Sequence, residues 1–187
     1  MQLLERILSS ADFRAMTFGP EEESAYVFEL IEGEIMAKNH PTTTHQRVLS
    51  RLHLLIGNLL ATDKLGEVFF APLGVVLGEN SDVQPDLFVV LDANLPNLRE
   101  DGYYGTPDLI IEILSPSSIK LDRRTKFKLY ERTGVAEYWI IDPKNQSIEV
   151  YGRTEGVYDL TAFAVETGAV TSIVLPGLSI DVAALFA

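Results

Sequence analysis

Pro107-Asp108-Leu109-Ile110-Ile111-Glu112-Ile113-Leu114-Ser115-Pro116-Ser117 is the stretch on which the reading of this chain turns. Residues 108–114 are apolar except at the ends and at Glu112, the pattern of a strand buried on both faces of a sheet. Ser115-Pro116-Ser117-Ser118 stops the strand and offers caps for a helix. An unpaired carboxylate inside such a strand is expensive to desolvate, so Glu112 demands an explanation. A second acid, Asp86, opens another apolar run, Leu87-Phe88-Val89-Val90-Leu91, directly after Pro85. If the two strands are neighbours they lie about 4.8 Å apart, and carboxylates at matching height can share one ion. Magnesium suits such a place, needing one or two protein carboxylates and keeping several waters. The other reading makes Asp86 a turn cap and pairs Glu112 with an Arg or Lys of the core.

Downstream of Glu112, six of the fifteen basic residues (Lys120, Arg123, Arg124, Lys126, Lys128 and Arg132) crowd into one segment. Its pattern predicts a helix over 121–132, closed by Gly134. Asp122 and Lys126 are four apart and share a face of it. The strand carrying Glu112 leads into this helix, so Lys126 can point at the two acids, whereas Arg123, Arg124 and Lys128 read as solvated charges. Residues 137–141 return as a strand, and 147–151 form the next after the turn at Asp142-Pro143. Tyr138, Trp139 and Tyr151 read as core aromatics.

Upstream, residues 26–31 and 34–37 form two short strands around Glu32-Gly33. Val48, Leu52, Leu55 and Leu59 recur at helical spacing and predict a helix over 42–61. Strands follow at 68–71, 74–77 and 85–91, then a loop over 92–106. The last thirty-odd residues alternate strand-like and turn-like pieces and end in a short segment at 182–186. The order helix, three strands, helix, strand, with β decoration at both ends, is α/β with a mixed sheet. Without repeats or linker-like tracts, residues 1–187 read as one domain.

Cysteine is absent, which excludes disulfides, zinc–thiolate sites and cysteine nucleophiles. The N-terminal residues 1–16 lack the basic start and long apolar run of a secretory signal, and no apolar run reaches membrane-spanning length. A cytoplasmic protein without a membrane partner is expected. The net charge of −12 runs against phosphate binding, so any nucleic-acid surface must be a local basic patch or a bound metal.

Taken together, Glu29–Glu34, Pro41–His45, Val83–Asp86, Pro107–Ser117, Asp122 with Lys126 and Tyr130, and Gly134–Pro143 resemble the "putative restriction endonuclease" family of bacteria, within the PD-(D/E)xK nuclease superfamily. The resemblance covers about residues 26–151 and implies a restriction-endonuclease-like core. Pro85-Asp86 matches the PD element. Glu112-Ile113-Leu114 matches the E-x-K element with leucine in place of lysine, and Lys126 is similar to a lysine that has migrated to the next helix. The family likeness implies Asp86, Glu112 and the Ile113 carbonyl as metal ligands, with Mg2+ or Mn2+ as cofactor. It further implies Lys126 as the group orienting water or phosphate, and DNA as substrate. Glu34 is an auxiliary acid candidate, and Asp122 a further auxiliary residue. His45 reads either as a phosphate contact or as a hydrogen-bonded helix-surface histidine, while His40 and His53 read as surface or packing residues. A homodimer would fit, because cutting a duplex takes two cuts. The competing functions are a catalytically silent nuclease fold used for binding or regulation, and a phosphoesterase for RNA or small phosphoesters.

Overall fold

The computed structural model describes residues 7–187, so the first six residues of the N-terminal stretch read as lacking a signal lie outside it. Two helical turns open the described chain, α1 (Ser10–Arg14) and α2 (Pro20–Ala25), in a stretch the sequence reading leaves unassigned. The hairpin follows as β1 (Tyr26–Ile31) and β2 (Glu34–Asn39). Its turn residues Glu32 and Gly33 have φ of 52° and 83°, the left-handed pair that a two-residue hairpin loop requires. α3 (Thr43–Asp63) is the long predicted helix, capped by the Thr42 hydroxyl accepting from the His45 amide.

The larger sheet holds six strands in the order β12-β11-β10-β9-β6-β3. In chain order these are β3 (Gly66–Phe70), β6 (Leu87–Leu91), β9 (Leu109–Ile113), β10 (Glu137–Asp142), β11 (Ser147–Thr154) and β12 (Val157–Val165). β9 and β10 run parallel and the other neighbours antiparallel, which is the expected mixed sheet. The central order α3, β3, β6, β9, helix, β10 is the one read from sequence.

Three local readings change. The segment 74–77 shrinks to β4 (Val75–Val76) and leaves this sheet. It joins a second six-stranded sheet, β2-β1-β5-β4-β8-β7, with β5 (Asp82–Val83), β7 (Leu98–Arg99) and β8 (Gly102–Tyr104). The 92–106 stretch is therefore not all loop: it contains a 3₁₀ turn (Asp92–Asn97) and the β7–β8 hairpin, anchored by the fully buried Tyr103. The helix after Glu112 also divides, into a π-helical turn (Leu121–Lys126) and α4 (Phe127–Thr133). Short strands such as β4 and β7 carry too little periodicity to be read from a single chain.

Alternation along the strands sorts the core into two layers. Leu87, Val89, Leu109, Ile111 and Trp139 face α3 and the C-terminal β13 (Ala169–Thr171), β14 (Ser179–Asp181) and α5 (Val182–Phe186). Phe88, Val90, Ile110, Tyr138 and Ile140 face the second sheet and α4. Tyr138 and Trp139 are fully buried and Tyr151 is half-buried against the second layer. Glu112 shares the parity of Ile110, so it enters the second layer, where α4 brings Tyr130.

Candidate active site

β6 and β9 pair with Leu87 opposite Ile111 and Val89 opposite Leu109, and the same register places Asp86 opposite Glu112. The Asp86 amide points at Glu112 Oε2 at 3.4 Å. Both acids thus sit at one height on one sheet face, where the sequence expectation put them.

Each carboxylate is held by one oxygen. Asp86 Oδ2 accepts from the Ile113 amide at 2.8 Å and lies 2.9 Å from His45 Nε2, in the first turn of α3. Glu112 Oε1 accepts from Lys126 Nζ at 2.8 Å and from the Tyr130 hydroxyl at 2.7 Å. Among the described residues, Asp86 Oδ1 has no hydrogen-bond donor and Glu112 Oε2 has only the long contact to the Asp86 amide. Both side chains line a cleft of about 570 Å³, with Ile113 and Asp122 beside them.

Lys126 does not reach that cleft. Its side chain is 0% exposed, and its ammonium lies between Glu112 and a further acid, Glu29 on β1, each at 2.8 Å. The two readings of Glu112 are therefore combined in one residue, which faces the cleft with one oxygen and pairs with a core lysine through the other. The cation at the cleft is Lys38 on β2, which donates to the Gln84 carbonyl at 3.0 Å and lies 3.3 Å from Glu29 Oε1. Glu34 is exposed beside the hairpin turn, and Glu29 takes the place in the cluster that the sequence reading offered to it. The signal for Glu29 was present: an acid in the apolar strand YVFELI repeats the pattern of Glu112 in LIIEI. Lys38 gives no such signal, because its place depends on pairing opposite Val27.

Burial and charge set the protonation of the cluster. Burial pushes Glu29 up, but Lys126 and Lys38 outweigh it and hold the carboxyl below its ordinary value. Asp86 also ends low, as the bond to His45 and the charge of Lys38 overcome its desolvation. Glu112 ends raised, because burial and the Asp86 charge prevail over Lys126. Asp122, buried and close to Glu112's charge, is pushed up to about 8. Lys126 is desolvated, yet Glu112, Glu29 and Asp122 raise it well above the ordinary lysine value. With Asp122 protonated near neutral pH, the carboxylates of Glu29, Asp86 and Glu112 face two lysines, which leaves one negative charge in excess when all three are ionised.

That excess, and two carboxylate oxygens without strong donors, fit a hard divalent cation held by few protein ligands and several waters. Among the described residues no three His, Cys, Asp or Glu side chains group together to hold a metal, so an all-side-chain cage is not what this floor offers. Three of the six basic residues of the following segment are engaged, Lys126 internally and two more at the surface, while Lys120, Arg124 and Lys128 are exposed and in no ion pair among the described residues. Arg123 makes a two-pronged bond to Glu149 at 2.9 and 2.6 Å, and Arg132 pairs with Glu32 at 2.8 Å. Among the described residues no helix is long and apolar enough to cross a membrane.

The Uma2 family model, described as "Putative restriction endonuclease", matches residues 10–183. Two proteins of Synechocystis, the uncharacterized sll1609 and slr1290, are 28% and 27% identical to this chain. The first match covers 79% of this chain and 82% of that protein, the second 72% and 70%. A crystal structure from Anabaena variabilis, titled as that of "a putative nuclease belonging to DUF820", superposes with a TM-score of 0.75 at 22% identity, over 96% of this chain and 97% of that one. At that identity the likeness shows the fold, which is restriction-endonuclease-like. Proteins of that type generally use divalent metals. The ordered motifs of the sequence and the family model agree over the same core: this chain belongs to the Uma2 family of restriction-endonuclease-like proteins.

Proposed function

We propose that this chain is a metal-dependent endonuclease that hydrolyses phosphodiester bonds, in DNA, at the cleft floored by Asp86 and Glu112. One observation carries the reading: two carboxylates face each other across neighbouring strands, each fixed through one oxygen and presenting the other to the cleft. Asp86, Glu112 and the Ile113 carbonyl would hold Mg2+ or Mn2+. When bound, the cation supplies neutralisation of the phosphoryl charge and a lowered pKa for water in the cleft.

The chain's own residues do the rest. His45 and the Ile113 amide fix Asp86, while Lys126 and Tyr130 fix Glu112, so neither acid must reorient during the reaction. Lys126 acts as a positioning residue, holding Glu112 and Glu29 together, rather than as a contact to phosphate. Lys38 lies on the cleft wall, where a positive charge is useful to the phosphoryl group. Asp122 lines the same floor as an auxiliary residue, its carboxyl pushed up to about 8 by burial and by the Glu112 charge as long as no cation lies between the acids. A cytoplasmic setting is part of the same proposal, as is a homodimer where both strands of a duplex are cut.

Magnesium or manganese titration followed by cleavage assays on DNA, RNA and nucleotide esters tests the reading. Asp86→Asn and Glu112→Gln should each lower metal-dependent cleavage by at least about 100-fold. Metal-independent cleavage that survives both changes would remove the site from the reaction. A phosphoesterase acting on RNA or small phosphoesters is the second reading, favoured by the net charge of −12, and the same panel separates it.

A further inference from the structure

The cleft is unlike a duplex-binding surface. Lys38 is its sole Lys or Arg among the described residues that line it, and Glu29 already engages that lysine. Duplex affinity is built mainly from phosphate contacts, so a wall with one occupied cation in a chain of charge −12 forgoes the usual source of binding energy. The walls instead supply apolar and ring surface. All three histidines of the chain, His40, His45 and His53, line the cleft, with Val27, Phe70 and Pro72.

Two of those rings form a platform. His53 and Phe70 meet edge to face with centroids 4.9 Å apart, and Phe70 is 46% exposed at the end of edge strand β3. Nearly half of the Phe70 surface stays outside the core, and it opens into the same cleft as the acids. β3 fixes its place: Phe70 pairs with Leu87, and the next amide, Ala71, donates to the carbonyl of Asp86 at 3.3 Å. His45, on Asp86, and His53, on Phe70, are eight residues apart on α3, about 12 Å at the helical rise of 1.5 Å per residue. Gln46 and Ser50, exposed between them, provide neutral polar groups along the way.

We infer that the cleft takes an unpaired nucleic-acid strand, with a base near the scissile phosphate stacked on the Phe70–His53 platform. This rests on the proposed nuclease reading and narrows its substrate. Stacking draws on the π-face that every base offers, so it needs few cations and suits an acidic protein. A base inside a duplex keeps that face covered by its neighbours and cannot use the platform.

The test is made on the full-length protein without metal, so that binding is read apart from cleavage. Phe70→Trp places a reporter on the platform, against a background of the single native tryptophan, Trp139, which is fully buried. A single-stranded oligonucleotide should quench the new tryptophan, and the blunt duplex of the same sequence should leave it unchanged. In fluorescence anisotropy, Phe70→Ala should weaken single-strand binding by roughly 5- to 140-fold, the range expected for loss of one stacked base. The variant's melting temperature, close to that of the parent because the ring is half out in solvent, separates this from misfolding. An RNA strand that quenches equally supports the inference, since the base and not the sugar is read. Equal quenching by duplex and single strand, or single-strand binding indifferent to Phe70→Ala, overturns it. Metal-dependent cleavage of blunt duplex with no action on single strands would overturn it while leaving the nuclease reading intact. Absence of binding and cleavage on every nucleic acid would remove both.

Discussion

At the residue scale, Glu112 and Lys126 are best understood by removing each in turn. Lys126→Met leaves Glu29 and Glu112 buried side by side without their shared cation, and it should cost roughly 3–5 kcal/mol. Glu112→Gln keeps Lys126 paired with Glu29 and relieves repulsion on Asp86 and Asp122, so its cost should be smaller, about 1–2 kcal/mol. The unequal pair of melts is the expected result, and the reverse order would mean that Glu112 and not Lys126 anchors the cluster. Asp122 offers a pH test. Its folded-state pKa, about 8, lies above the ordinary value of 3.8, so the folded protein binds the extra proton between those limits. Stability from this group is therefore lost as pH rises through that window and stays level above it. Asp122→Asn lacks the titration, so its melting temperature should gain on the parent's between pH 5 and pH 8. The corresponding gain in unfolding free energy should amount to a few kcal/mol at most, one pKa unit being about 1.4 kcal/mol. Parallel pH profiles of the two proteins would refute the raised pKa.

At the element scale, α3 carries both the core and part of the site. Val48, Leu49, Leu52, Ile56 and Leu60 bind it to the larger sheet, and its first turn delivers His45 to Asp86. Thr42 starts that turn by accepting from the His45 amide. Thr42→Ala should lower stability by about 1 kcal/mol and also loosen His45. The metal-induced rise in melting temperature should shrink with it, because Asp86 loses its orientation; an unchanged rise would separate His45 from the metal site. The π-helical turn at Leu121–Lys126 is a comparable device. Such turns are rare and cluster at functional positions, and this one carries both Asp122 and Lys126 inward, at 2% and 0% exposure. Glu137 marks the contrast with these acids. It too is fully buried in a strand, but its Oε2 accepts from Ser172 and from the Ile173 and Val174 amides, so it pins the C-terminal segment.

At the scale of the whole molecule, charge is the constraint. In the basic segment after Glu112, Lys126 is internal and Arg123 and Arg132 pair with Glu149 and Glu32, while Lys120, Arg124 and Lys128 are exposed but do not line the cleft. Among the residues that line the cleft, Lys38 is the sole Lys or Arg able to release counterions from nucleic acid. Binding of a single strand should therefore weaken only about 3- to 18-fold between 50 and 200 mM salt, as for one to three phosphate contacts. A titration across that range checks it, and a steep fall would point to a basic surface outside the cleft.

The amino-acid sequence by itself determined the class of the fold, because periodicity is local: α3, β6, β9 and β10 are each long enough to display their pattern. It also exposed Asp86 and Glu112, since an acid in an apolar strand is anomalous without any knowledge of neighbours. Glu29 was legible by the same rule. What only the tertiary structure decided is who meets whom. The register of β6 on β9 brought the two acids level, the β1–β2 hairpin brought Lys38 to the cleft, and the helix after Glu112 turned Lys126 away from it. Those outcomes depend on contacts between residues up to 97 positions apart, as between Glu29 and Lys126, and no local pattern encodes them. The same holds for the platform of Phe70 and His53, ordinary residues in sequence whose adjacency arises only where β3 packs against α3.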